Sequence, residues 1–306
     1  MTVNSAKIGA DWFLNGLANL QSREIQTQTQ LSSGYRVSSA ADNPAATRDL
    51  VDLGSTLAVA QAYQTNLGNV QAEASAADNA ISSAISLVQS ARSLATQGAT
   101  STATASQRQN LGVQIQSIQQ EIVSLANTQV GNRYIFGGDQ DQTAPYQYNA
   151  ASVTGVDALT TAPSTRQFVN PAGSTVYQPL SAGTIFDASS AGVPTAVNAF
   201  AALQNLQAAL QANDQTGIAT GVTALAAVAS WLSQQQVHYG TSGQRLASEQ
   251  ANVASQITTI QTSISGIRDT NVAQAASDLT QETTSQQAAI SAQAATPQKS
   301  LFDYLA

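Results

Sequence analysis

Apolar residues along this chain recur mostly at helical spacing. Between Trp12 and Leu31, Phe13, Leu14, Leu17, Leu20, Ile25 and Leu31 sit among Gln, Asn and Thr, which predicts an amphipathic helix. Ser32-Ser33-Gly34 reads as its stop, with Gly34 suited to a left-handed cap. Ala41-Asp42-Asn43-Pro44 reads as a fresh start: Asp42 or Asn43 supplies the cap and Pro44 fits the first helical position. The next helix is predicted from about Ala45 to about Gln97, with a break near Gly68 and an apolar seam through Ile81, Ile85 and Val88.

After a small-residue turn over Gly98–Ala105, Leu111, Ile115, Ile118, Ile122 and Leu125 are spaced 4, 3, 4, 3, a heptad seam that ends near Gly131. The pattern then changes. Between Tyr134 and Pro194 lie five of the seven prolines and half of the eight tyrosines. Four short β-like runs appear there: Tyr134–Phe136, Arg166–Val169, Thr175–Tyr177 and Thr184–Phe186, separated by turn formers. Helical spacing resumes near Ala196 with short seams at Leu203, Leu206, Leu210 and at Val222, Leu225, Val228, Leu232. A long C-terminal helix is expected from about Ser242, carrying Leu246, Val253, Ile257, Ile260, Ile264 and Ile267. From Thr270 the seam thins to Val272, Ala276, Leu279 and Ile290, and Pro297 ends it.

The predicted fold class is therefore mainly α: a long antiparallel helical bundle or coiled coil built from both termini, with a small β-rich insert domain. Three parts are expected: a terminal unit of residues 1–42 with 270–306, a helical bundle of 43–133 with 196–269, and a β-rich insert over 134–195. The two strong seams have enough Leu and Ile to pack within the chain. The terminal seams are narrow and lined with Ala, Gln and Ser, and isolated helices of that kind are marginal in water.

Composition sharpens this picture. Charged residues make up only 9% of the 306 and aromatics 5%, which suits closely packed helices rather than a large aromatic core. The net charge of −7 comes without a basic stripe, which argues against nucleic acid as a partner. No stretch reads as an ~18-residue membrane span, so no membrane insertion is expected. No basic start followed by an apolar core marks a cleaved signal peptide.

Chemistry is thinly supplied. The chain has no cysteine and one histidine, His238, so thiolate sites, His–His metal sites and the H-E-x-x-H zinc signature are excluded. His238 reads as a helix-end surface or packing residue. Val130–Gly138 is glycine-rich but lacks dinucleotide and P-loop spacing, and reads as a helix exit into a strand and turn. Asp139-Gln140-Asp141-Gln142 lacks the remaining ligands of a calcium loop and reads as a surface turn. No catalytic, cofactor or metal site is expected, and the reading is that of a non-enzyme.

Several blocks resemble the bacterial flagellin family. Gln30–Val37 followed by Ala41–Ala46 is similar to its N-terminal signature, and Ser90–Ala99 to the block that follows. Asn271–Leu279 and Leu301–Leu305 are similar to its C-terminal signature. Within the family, Gly131-Asn132-Arg133-Tyr134-Ile135-Phe136-Gly137-Gly138 and Gly243-Gln244-Arg245-Leu246 resemble the branch that joins hook to filament, while Ala41–Ala45 resembles filament proteins at least as well. The family's innate-receptor epitope centres on Arg-Glu-Leu. Here Arg92 and Leu94 flank Ser93, so receptor recognition is not expected.

The resemblance implies a structural subunit of the extracellular flagellum, exported by the flagellar type III route without a cleaved signal peptide. Its partners would be identical subunits, other axial proteins (hook-associated proteins and flagellin) and an export chaperone. It also implies terminal helices that become ordered on assembly. Leu14, Leu17, Leu20, Leu279, Ile290, Leu301, Phe302 and Leu305 are the expected subunit-contact residues. A secreted coiled-coil adhesin with a β-rich tip is the competing reading from another class.

Overall fold

Gly34 ends the first helix as its sequence predicts, with φ +75° and its N–H donating to the Gln30 carbonyl at 2.9 Å. This computed structural model describes residues 2–190 and 192–295, with side chains from residue 10 onward. The chain divides into two units, residues 1–61 with 255–306 and residues 62–254.

The first unit holds helix α1 (Thr2–Ser33), the opening turns of α2 (Pro44–Gly98), the end of α6 (Gln215–Arg268) and α7 (Val272–Ala295). Both candidate caps before α2 are used, for different jobs. Asn43 Oδ1 accepts the Ala46 N–H at 3.1 Å and caps the helix. Asp42 closes the preceding turn, accepting from the backbone N–H groups of Ser38 and Ser39 at 2.9 and 2.8 Å. Asn271 caps α7 through the Gln274 N–H at 3.2 Å.

In the second unit, α3 (Ala105–Ala126) starts at a capping box: Gln107 N donates to Thr104 Oγ1 and Thr104 N to Gln107 Oε1. It packs against α5 (Ala199–Gln211). The seams Leu111–Ile122 and Leu203–Leu210 are buried, together with Ile218, Leu225, Val228 and Leu232 of α6. Gly98 ends α2 where these meet. A Cβ there would lie 2.7 Å from Leu210 Cδ2 and 3.4 Å from Leu111 Cδ1. Buried Arg108 closes that end of the bundle without a carboxylate. Its Nε donates to the Gly98 carbonyl at 2.7 Å and its Nη2 to the Thr100 carbonyl at 3.0 Å. A guanidinium is at home there because the last carbonyls of a helix lack partners and carry partial negative charge.

Among the described residues the insert is not a continuous sheet. It is four two-stranded antiparallel hairpins: β1 (Gln129–Val130) with β2 (Arg133–Tyr134), β3 (Tyr146–Tyr148) with β4 (Val156–Ala158), β5 (Phe168–Val169) with β6 (Thr175–Tyr177), and β7 (Ser189–Ser190) with β8 (Val193–Pro194). Such short ribbons need a surface to pack on. A chain of aromatic rings supplies it: Phe136 to Phe186 at 5.6 Å, Tyr146 to Phe200 at 4.9 Å and Phe136 to Tyr239 at 6.4 Å. Glu73, 7% exposed on α2, holds Arg166 at 2.5 Å and the Tyr177 hydroxyl at 3.3 Å, which ties β5 and β6 to the bundle.

Five details depart from the sequence reading. Thr184–Phe186 is not a strand: Ala182–Ile185 forms the short helix α4, capped by Ser181, and turns Ile185 and Phe186 into the aromatic core. No break occurs at Gly68, because Leu67 and Ala74 on either side are buried. α6 is one helix from Gln215 to Arg268, not two, and runs through Gly240 and Gly243. His238 is consequently mid-helix, half-buried, with Nε2 3.1 Å from the Gln178 carbonyl. Finally, an 18-residue window of α6 reaches a mean hydropathy of 1.3, long and apolar enough by composition to cross a membrane. Leu225, Val228 and Leu232 of that helix are fully buried in the bundle. Much of the remaining apolar character comes from alanine.

Candidate assembly surface

Near Gly34 the chain reverses into α2, and near Asp269 it passes from α6 into α7. These two corners are locked together. Tyr35 and Asp269 form an antiparallel bridge, the Arg36 N–H donates to the Arg268 carbonyl at 2.7 Å and the Thr270 N–H to the Gly34 carbonyl at 2.8 Å. The Arg36 guanidinium reaches the Ile267 carbonyl at 2.9 Å, satisfying an orphan acceptor at the C-terminal end of α6. Val37 is buried beside them. Asp269 accepts from the Ser265 hydroxyl and from Arg268, and both bonds hold its carboxyl below the usual carboxylate range. The residues Gly34-Tyr35-Arg36-Val37, noted first as a motif, thus form a clasp.

From that clasp α1 and α7 run antiparallel and pack closely. The half-buried positions of α1 are Phe13, Leu17, Leu20, Glu24, Thr27, Gln30 and Leu31; all but Gln30 follow a spacing of 4, 3, 4, 3, 4. Those of α7 are Leu279, Glu282, Thr283, Gln286 and Ala289; all but Thr283 follow buried Ala275 with spacing 4, 3, 4, 3. Both are heptad seams with charged or polar residues at core positions, so the pair gains little from burial. Glu282 Oε2 lies buried with no hydrogen-bond partner among the described residues.

The consequence is a unit nearly without a core. Among the described residues of the first unit, Val37, Ile257 and Ala275 are the buried side chains. Burial also fades along the second strong seam: Leu246 and Val253 are buried, Ile257 is 9% exposed, and Ile260, Ile264 and Ile267 are only half-buried. A fully buried Leu or Ile stabilises by about 1.5–3 kcal/mol, so three buried residues cannot offset the ordering of so many others.

The expected contact residues separate into three groups. Leu17, Leu20 and Leu279 line the chain's own seam, half-buried. Leu14 and Ile290 are 59% and 52% exposed. Leu301, Phe302 and Leu305 lie outside the described residues. On α1 and α7 three more apolar residues are exposed: Trp12 at 78%, and Ile25 at 58% and Val272 at 57%, which the sequence reading counts in the seams. Leu14 and Ile25 are eleven residues apart, close to three whole turns, and so share one outward face. Their signal was present in the sequence, as apolar residues off the heptad register. Among the described residues no group of three or more His, Asp or Glu side chains could hold a metal ion.

The geometry defines a class: helical proteins whose two chain ends clasp each other and form one thin antiparallel unit with exposed apolar faces. Residues 8–141 match the bacterial flagellin N-terminal helical region and residues 222–305 the bacterial flagellin C-terminal helical region. Together these cover most of the chain, which belongs to the bacterial flagellin family. It is 25% identical over 224 residues to flagellar hook-associated protein 3 of Escherichia coli (strain K12), spanning 70% of this chain and 68% of that protein. To hook-associated protein 3 of Salmonella typhimurium it is 27% identical over 134 residues, 44% of this chain and 42% of that one. A solved structure assigned as a flagellar hook-associated protein of Vibrio parahaemolyticus superposes with a TM-score of 0.65 at 18% identity, covering 74% of this chain and 100% of that one. Bacillus cereus FlgL gives 0.51 at 16% identity, covering 65% and 98%.

Proposed function

We propose that this chain is a non-catalytic structural subunit of the bacterial flagellum that joins hook to filament. It assembles through its terminal helices with identical copies and with neighbouring axial proteins, outside the cell, after export with a chaperone. The observation that carries this reading is the terminal unit itself, which among the described residues has three buried side chains, a Glu282 oxygen without a hydrogen-bond partner, and exposed Leu14, Ile25 and Ile290. Surfaces of this kind are completed by neighbours. Leu14 and Ile290, with Leu301, Phe302 and Leu305, are the residues proposed to meet other subunits, while Leu17, Leu20 and Leu279 hold α1 to α7.

The test is complementation of a strain lacking its own hook-associated protein 3, with electron microscopy of the purified chain. The full chain restores filament attachment and appears alone as monomers or short rings. Versions lacking residues 1–40 or 270–306 stay soluble and fail to attach filaments. Long filaments from the pure protein would instead indicate a filament flagellin. Protease-resistant termini in the free monomer would favour a self-contained adhesin.

A further inference from the structure

A cavity of about 420 Å³ opens in the second unit between the aromatic core and the insert. Its volume falls in the range of small-molecule sites. Trp231 of α6 and Tyr146 of β3 contribute aromatic surface. The Trp231 indole N–H already donates to the Ile185 carbonyl at 3.1 Å, so what it presents to the cavity is ring carbon. The Tyr146 hydroxyl donates to Asp187 Oδ2 at 3.1 Å. Burial, and then the Asp187 charge, push that phenol up, so it stays protonated.

Asp187 is the one charged residue in the lining. Buried Asn198, which also caps α5, donates to its Oδ1 at 2.6 Å. Each carboxylate oxygen thus spends one acceptor position on the protein and keeps another for a ligand. The rim is hydroxyl-rich: Thr160, Thr161, Ser181, Thr184 and Ser189 all contribute. Thr161 and Ser189 are exposed and make no side-chain hydrogen bond to another described residue.

This combination selects a ligand class. A lone carboxylate with no Lys, Arg or His in the lining repels phosphates and carboxylates. Aromatic carbon on one wall and a fixed acceptor with neutral hydroxyls on the others match a pyranose, whose ring presents an apolar C–H face and an edge of hydroxyl donors. A simple amine would use Asp187 but would leave the hydroxyl rim and the aromatic wall idle.

We propose that this cavity is a binding site for a neutral monosaccharide unit, with Asp187 accepting from its hydroxyls, Thr161 and Ser189 at the rim and Trp231 against its apolar face. All of its lining residues belong to the second unit, and the proposal does not depend on the assembly role.

The test uses the purified full chain and saturation-transfer NMR against glucose, galactose, mannose, N-acetylglucosamine and putrescine. At least one neutral sugar shows saturable transfer, strongest at its ring protons. Thr161→Val and Ser189→Ala, which leave the thermal melt unchanged, together weaken it about tenfold or more. Trp231→Phe reduces ring-proton transfer, while Trp12→Phe does not. Absence of saturable transfer from all four sugars would overturn the proposal. So would binding indifferent to the Thr161 and Ser189 changes, or saturable binding of putrescine alone.

Discussion

The Arg268 guanidinium lies 4.4 Å from the centre of the Tyr35 ring. Tyr35 belongs to the turn after α1 and Arg268 to the last turn of α6, so this contact joins segments more than 230 residues apart. Around it run the Arg36 bonds to the Ile267 and Arg268 carbonyls and the bridge from Tyr35 to Asp269. The signature block Gln30–Val37 therefore has a plain physical task. It stops one helix and uses the freed backbone to hold the start of another.

Replacing Arg36 by Ala should loosen that clasp. Arg36 is exposed, so the loss is modest, about 1 kcal/mol. Hydrogen–deuterium exchange is expected to rise at residues 266–271 while the buried bundle around Ile115 stays protected. Arg36→Lys rescues only in part, because a single ammonium cannot reproduce the guanidinium fork. Unchanged exchange at 266–271 would show that the backbone bridge suffices alone.

Seam and surface should respond differently. Leu17→Ala or Leu279→Ala removes half-buried packing between α1 and α7 and should lower the helicity of the free chain by circular dichroism. Leu14→Ser with Ile25→Ser changes only exposed positions, so helicity holds. Filament attachment nevertheless fails. If the double serine variant attaches filaments normally, that face of α1 is not a subunit contact.

Gly138 has φ +61°, and a Cβ there would approach the Ala162 and Pro163 carbonyl oxygens to 2.5 and 2.6 Å. Backbone atoms cannot yield as a flexible side chain does. Gly138→Ala should cost about 2–4 kcal/mol, read as a lower melting temperature with a shifted aromatic circular-dichroism signal. Gly131→Ala, strained by φ +62° but with open space around it, should cost less.

Alkaline pH should unfold the second unit before arginine chemistry matters. Burial, and then the neighbouring Glu249 carboxylate, push the Tyr63 phenol up to about 12 from its ordinary 10.0. The folded state therefore keeps a proton that the unfolded state loses. Its stabilising contribution is complete below pH 10 and disappears as pH rises towards 12. Tyr146 and Tyr177, more deeply buried, act in the same direction. Tyr63→Phe should flatten part of the slope in a denaturant titration between pH 9 and pH 12 while keeping the ring stacked on Phe168, now 5.4 Å away. An unchanged slope would place the loss at the deeper tyrosines.

Much of the fold was legible because its signals are local. Gly34, Asn43 and Pro44 mark a stop and a start through their own backbone preferences. The heptads at Leu111–Leu125 and Leu246–Ile267 declare a helix face through spacing alone. Local signals misled where distant packing outweighed them. A new helix was expected from about Ser242, but Tyr239, Ser242 and Leu246 are buried along one continuous helix and outweigh about 1 kcal/mol of glycine cost at each of Gly240 and Gly243. Thr184-Ile185-Phe186 looked like a strand, yet the aromatic core needed Ile185 and Phe186 on one side, which a helical turn after Ser181 provides.

The sequence by itself determined that the chain is mainly helical, where the first helix stops and the second starts, that the ends carry weak seams, and which family's signatures they match. Only the tertiary structure decided which apolar residues of those ends are spent within the chain and which remain outward. Leu17 and Leu14 look alike in sequence and stand three residues apart. One turns into the α1–α7 seam and the other away from it, because the position of the partner helix is set at the far end of the chain, by Tyr35 and Asp269.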